Sequence, residues 1–178
     1  METDGQSVKL ITVTLDTSVL GHNDVKELKQ TIAGLPIQLA HTSVTAREIE
    51  NTDFVAPGPS ILETGVYGES RWGQAVWGGV DESTLLESIL YTISPGYPRQ
   101  GKREGEKFSK GDQHHLRDAM ILVAHTRSHR DIFVTKEKKA FIGKRDDLRR
   151  KQLEVLCNTK IMNLDEFFEY CRELRENN

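Results

Sequence analysis

The stretch Ile11-Thr12-Val13-Thr14-Leu15-Asp16-Thr17-Ser18-Val19-Leu20 decides the reading of this chain. Residues 10–15 are rich in β-branched side chains, which favour a strand. The run reads as apolar on both faces, which suits a parallel strand covered by helices on each side. It ends on an acid, Asp16. In an open parallel sheet the ligand crevice lies outside the carboxyl ends of the strands. An acid there faces the place where ligands bind.

Strands and helices alternate outward from that point. A helix is predicted over residues 25–34, with Asp24 as its cap, Glu27 three residues on, and Val25, Leu28 and Ile32 as its apolar stripe. Gly34 and Pro36 end it. A strand at residues 37–40 leads into a helix over 44–50. Further on, a helix over 82–93 stops at the Pro95–Gly96 turn. A long helix follows over 113–127, with Leu116, Met120, Val123 and Ala124 on one face and Asp112 as its cap. Then come a strand at 131–135, a short helix near 138–142, a helix around 147–156 and a strand at 159–162. A final helix is capped by Asn163 with Glu166 three residues on. This alternation implies βαβ units and a largely parallel sheet, an α/β fold.

Two segments interrupt the pattern. Residues 51–80 are rich in glycine and hold Tyr67, Trp72 and Trp77. So many aromatics argue against disorder, and the segment is expected to be an ordered insertion or a lid. Burial of both tryptophans against the body is the favoured reading. The alternative is that Arg71 and Trp72 contact unpaired RNA. Residues 94–110 form a loop with Arg99, Lys102, Arg103, Lys107 and Lys110, moderated by Glu104 and Glu106.

A chain of 178 residues is one domain's worth, and 37% hydrophobic residues suffice for a core. With 29% charged residues and no apolar stretch near the roughly 20 residues of a membrane helix, no membrane role is expected. The polar, acidic N-terminus is unlike a secretory signal, so a cytoplasmic location is expected. Cys157 and Cys171 lack metal-ligand spacing and read as reduced thiols. A net charge of -3 argues against general attraction to nucleic acid, so contacts with it would come from local patches or a bound cation.

Four acids stand out: Asp16, Glu48 in the 44–50 helix, Asp118 at the head of the apolar run 118–125, and Glu137 just past the 131–135 strand. The topology can gather them, and such oxygen ligands suit Mg²⁺ or Mn²⁺. Asp16 and Asp118 are the first choice as direct ligands, with Glu48 and Glu137 acting through water or on a second ion. Ser18, Thr17 and Thr135 are candidate phosphate or carboxylate partners. His114 and His115 are adjacent, so they read as surface residues pointing in different directions.

Taken in order, LDTSVL (15–20), TAREIE (45–50), DAMILVAH (118–125) and FVTKEKKAF (133–141) resemble a PIN domain, as does the terminal TKIMNLDEFFEY (159–170). The resemblance implies a three-layer α/β/α sandwich spanning residues 1–178, with the insertion at about 51–80 and the basic loop at about 94–110. It implies a metal-dependent endoribonuclease that leaves a 5′-phosphate and a 3′-hydroxyl. It also implies a possible setting as the toxin of a toxin–antitoxin pair, with an antitoxin protein or a second copy as partner. The family's fourth acid is usually Asp in a T-N-D-like run, whereas this chain has Thr135-Lys136-Glu137. That departure keeps open a non-catalytic RNA-binding or scaffold role. A nuclease acting on DNA and an unrelated α/β phosphatase stay open as well.

Overall fold

The computed structural model describes residues 9–66, 69–97, 109–143 and 148–177. Tyr67, Asp147 and the loop residues Arg99, Lys102, Arg103, Glu104, Glu106 and Lys107 fall outside them.

Five strands form the central sheet, all parallel: β1 (Ile11–Leu15), β2 (Ile37–Thr42), β3 (Ser60–Ile61), β6 (Ile132–Val134) and β7 (Lys160–Met162). Their order is β3-β2-β1-β6-β7. The chain builds outward from β1 on one side, then returns to add β6 on the other. The sheet therefore has its topological switch point between β1 and β6, where Leu15 lies opposite Val134. A separate two-stranded parallel ladder, β4 (Glu63–Thr64) with β5 (Ala75–Val76), lies within the insertion.

Helices cover both faces. Val13, Leu15, Ile132, Val134 and Met162 point to one side and pack with Val25 and Leu28 of α1 (His22–Thr31) and Phe167 and Cys171 of α6 (Leu164–Glu176). Phe133 and Ile161 point to the other side. There they meet Ile89 of α3 (Val80–Ile93), Met120 of α4 (Lys110–Arg127) and Leu153 of α5 (Arg149–Cys157). The result is the expected α/β/α sandwich. No helix among the described residues is long and apolar enough to cross a membrane.

The first strand departs from the expectation of two apolar faces. Its second face carries Thr14, fully buried. His125 of α4 lies over it, with Nδ1 2.8 Å from the Thr14 hydroxyl and Nε2 2.7 Å from that of Thr159. Burial pushes the His125 pKa down to about 3. A neutral ring donates through one nitrogen and accepts through the other, so both hydroxyls satisfy it.

Local signals set the boundaries. Asn163 and Glu166 form the expected capping box of α6. The long helix begins earlier than predicted because Ser109, not Asp112, is its cap; Asp112 completes the box from the third position. Nor does Asp24 cap α1, where Gly21 holds that place. The short helix at Lys138–Ile142 is a π-helical turn capped by Glu137.

Gly58 adopts φ +76°, and a Cβ added there would lie 1.9 Å from the Leu39 carbonyl oxygen of β2. Only glycine fits the chain's return toward the edge strand β3. Gly58→Ala is expected to destabilise the fold by at least about 2 kcal/mol, read as a lower melting temperature in thermal unfolding. An unchanged melting temperature would rule out this close approach.

Candidate functional site: an acidic cleft at the sheet switch point

Asp16 comes directly after β1, and its amide donates to Val134 O at 3.0 Å, extending the β1–β6 ladder by one bond. This places the Asp16 side chain beside Thr135, the residue after β6. The Thr135 hydroxyl donates to Asp16 Oδ2 at 2.7 Å, and that of Ser18 donates to the same oxygen at 2.6 Å. The Lys136 amide donates to Ser18 Oγ and the Glu137 amide to Thr135 Oγ1. A short hydroxyl network thus ties the chain after β1 to the chain after β6.

The other acids arrive on helices. Glu48 ends α2 (Ser43–Glu48), and the Thr17 hydroxyl donates to its Oε2. Asp118 sits on the third turn of α4 and is 5% exposed. Glu137 accepts from the Lys139 amide at 3.0 Å. All four acids, with Thr17, Ser18, His114 and Arg117, line one cleft of about 430 Å³. Ser18 lines the cleft, whereas Thr135 is fully buried and meets the site only through its bond to Asp16.

Electrostatically the cleft is over-supplied with negative charge. Burial raises the Asp16 pKa against the lowering effect of its hydroxyl and amide donors. Glu48 is raised by burial, and also by Asp16, despite the Thr17 hydrogen bond. Asp118 is pushed up to about 8, by burial first and then by Asp16, Glu48 and Glu137. Its Oδ2 is buried with no hydrogen-bond partner among the described residues. A buried carboxylate oxygen without a donor is costly unless something positive meets it.

These residues fit a hard divalent cation by that measure. Among the described residues no three Asp, Glu, His or Cys side chains converge tightly enough to form a ready-made ligand set. Mg²⁺ does not demand one, because it keeps several waters and takes one or two carboxylates directly.

His114 is exposed, as expected of a surface histidine, and His115 is half-buried, but the two do not point in different directions. His114 lines the cleft, with Nε2 3.8 Å from Asp118 Oδ2, and His115 Nδ1 lies 3.9 Å from the same oxygen. Spacings of four and three residues along α4 bring both toward Asp118. Arg117, which no sequence signal singles out, stands at the rim with its Nε on Glu69 of the insertion at 3.1 Å. Lys136 is turned away from the acids. Its ammonium pairs with both oxygens of Asp24, at 2.9 and 2.7 Å.

The insertion is fastened by polar bonds, not by its tryptophans. Glu63 is fully buried and accepts from Arg47 Nη1 and from Ser43 Oγ, both on α2. Arg71 pairs with Glu50, just past α2. The expected burial of the tryptophans is wrong: Trp72 is 93% exposed and Trp77 80%.

A carboxyl whose folded pKa lies above its unfolded value binds more protons folded than unfolded, so stability falls as pH rises between the two. For Asp118 that window runs from about 4 to about 8. Asp118→Asn is therefore expected to raise the melting temperature of the cation-free protein by about 3–6 °C at pH 8, and by much less at pH 5. An equal effect at both pH values would refute the buried, mutually repelling cluster. Compared with known proteins, the chain matches no family model and no curated protein, so the chemistry of the cleft rests on its own residues.

Proposed function

We propose that this chain is a metal-dependent endoribonuclease of the PIN kind. The observation that carries this reading is the meeting of four acids, from four separate segments, in one cleft at the switch point of a parallel sheet.

Asp16 and Asp118 would hold a Mg²⁺ or Mn²⁺ ion, with Glu48 and Glu137 completing its surroundings through water or holding a second ion. Such an ion supplies neutralisation of the phosphate and activation of the attacking water. The chain's own residues prepare the site. Ser18 and Thr135 fix Asp16, and Thr17 fixes Glu48, so that neither carboxylate must be ordered when substrate arrives. Arg117 and His114 stand at the cleft wall, where a scissile phosphate would meet donors. Attack by water on the phosphorus, with the P–O3′ bond breaking and the 3′-oxygen leaving and taking up a proton, would leave a 5′-phosphate and a 3′-hydroxyl. The Lys136–Asp24 pair favours this reading over a non-catalytic scaffold, because it draws away the one cation that the departure from T-N-D places beside Glu137.

The test is cleavage of a mixed single-stranded RNA by the purified protein in Mn²⁺, Mg²⁺ or EDTA. Cutting is expected with either ion and not in EDTA. Asp16→Asn and Asp118→Asn should each lower the rate by about a hundredfold or more. Cutting that survives EDTA and both substitutions would sink the proposal. Matched DNA run alongside decides the sugar, and preferential cutting of DNA would replace RNA as substrate.

A further inference from the structure

Both tryptophans of the chain belong to the insertion, and both stand almost wholly in solvent. They flank a cleft of about 420 Å³ whose walls include Gly65, Val66, Arg71, Trp72, Val76 and Trp77. Solvent-facing indole pairs over apolar walls are unusual on a protein surface and mark a place where something binds.

The cleft is built on a held frame. Its floor is the β4–β5 ladder, closed by the Gly65 amide on Val76 O at 2.7 Å. At its edge the amides of Glu69 and Ser70 both donate to Val66 O, while Ser70 Oγ accepts from the Val66 amide. The exposed rings therefore project from a bonded support.

Two bonds join this cleft to the acidic one. Glu69 holds Arg117, which lines the acidic cleft, and Glu50, two residues past Glu48, holds Arg71, which lines the tryptophan cleft. The two concavities have no lining residue in common; these two ion pairs tie the segment that forms one to the α2 and α4 region that forms the other.

We propose that the tryptophan cleft takes the unpaired bases of a single-stranded RNA whose phosphate backbone crosses the acidic cleft, an inference that rests on the nuclease reading above. The exposed ring and guanidinium planes of Trp72, Trp77 and Arg71, and not charge, argue for this occupant. A chain of net charge -3 with a buried acidic cluster cannot hold a polyanion by general attraction. Stacking of bases on indole and guanidinium planes provides affinity that needs no net positive charge and tolerates any sequence. A duplex keeps its base faces covered and offers nothing to these rings.

Because the chain has no other tryptophan, its indole emission reports on this cleft alone. Titration with a short single-stranded RNA in EDTA, where no cutting occurs, is expected to quench that emission, and the matching duplex is expected not to. By anisotropy of labelled RNA, the Trp72→Ala, Trp77→Ala double variant should bind about tenfold more weakly. The double Phe variant should recover most of the loss, and single-stranded DNA should bind comparably because stacking ignores the sugar. Equal affinity of wild type and the alanine variant would overturn the proposal, as would equal quenching by duplex. So would a dimer, seen by sedimentation, that the alanine substitutions split without changing RNA affinity. The two readings fail separately. Tryptophan-dependent binding without metal-dependent cutting sinks the nuclease reading, whereas cutting and binding that are indifferent to the tryptophans sink this one.

Discussion

The pairing of β1 with β6 is the constraint on which the rest depends. Parallel strands finish on the same side of the sheet, and this pair finishes in register, so the residue after Leu15 must stand beside the residue after Val134. Those two residues are Asp16 and Thr135. The carboxylate is buried and would be strongly disfavoured there alone. The hydroxyls of Thr135 and Ser18 offset part of that cost, and the amides of Lys136 and Glu137 hold those hydroxyls in turn. Shifting either strand by one residue would exchange its two faces and remove Asp16 from its donors.

Charge is distributed through short bonds of the same kind. The nearby cations are committed to individual partners: Lys136 to Asp24, Arg117 to Glu69, Arg71 to Glu50. None neutralises Asp118, whose carboxyl keeps its proton far more tightly than an exposed one would. The cleft is thus an unbalanced electrostatic site inside a chain of nearly balanced composition. That imbalance is the strongest physical argument that a positive partner belongs there.

Much of the framework was legible in the sequence, because it rests on short-range signals. Runs of four to six residues marked four of the five strands, with β3 lost in the segment read as an insertion, and Asn163 with Glu166 marked the start of α6. The gathering of the four acids came from the order of strands and helices. Other features were not legible, because they depend on which distant side chain arrives. Asp24 looks like a cap by position, yet Lys136 claims it across the fold. Adjacent histidines were expected to diverge, but Asp118 lies between their directions one turn on. Composition shows that an insertion holds aromatic residues without showing which bonds fasten it. Here Glu63 and Glu69 do the fastening, and the indoles are left outside.

The burial of Glu63 beneath α2 has a consequence for how this chain can vary. Arg47 and Glu63 lie in different parts of the chain, one on the helix that delivers Glu48 and the other in the insertion, and each is the other's counter-charge out of water. Losing either alone would strand a buried charge, at a cost of about 3–5 kcal/mol. Replacing both with apolar residues of similar volume would cost far less. Among descendants of this sequence the two positions should therefore change together or not at all. The insertion should likewise be inherited as part of the body, since excising it would strip Arg47 of the counter-charge it packs against.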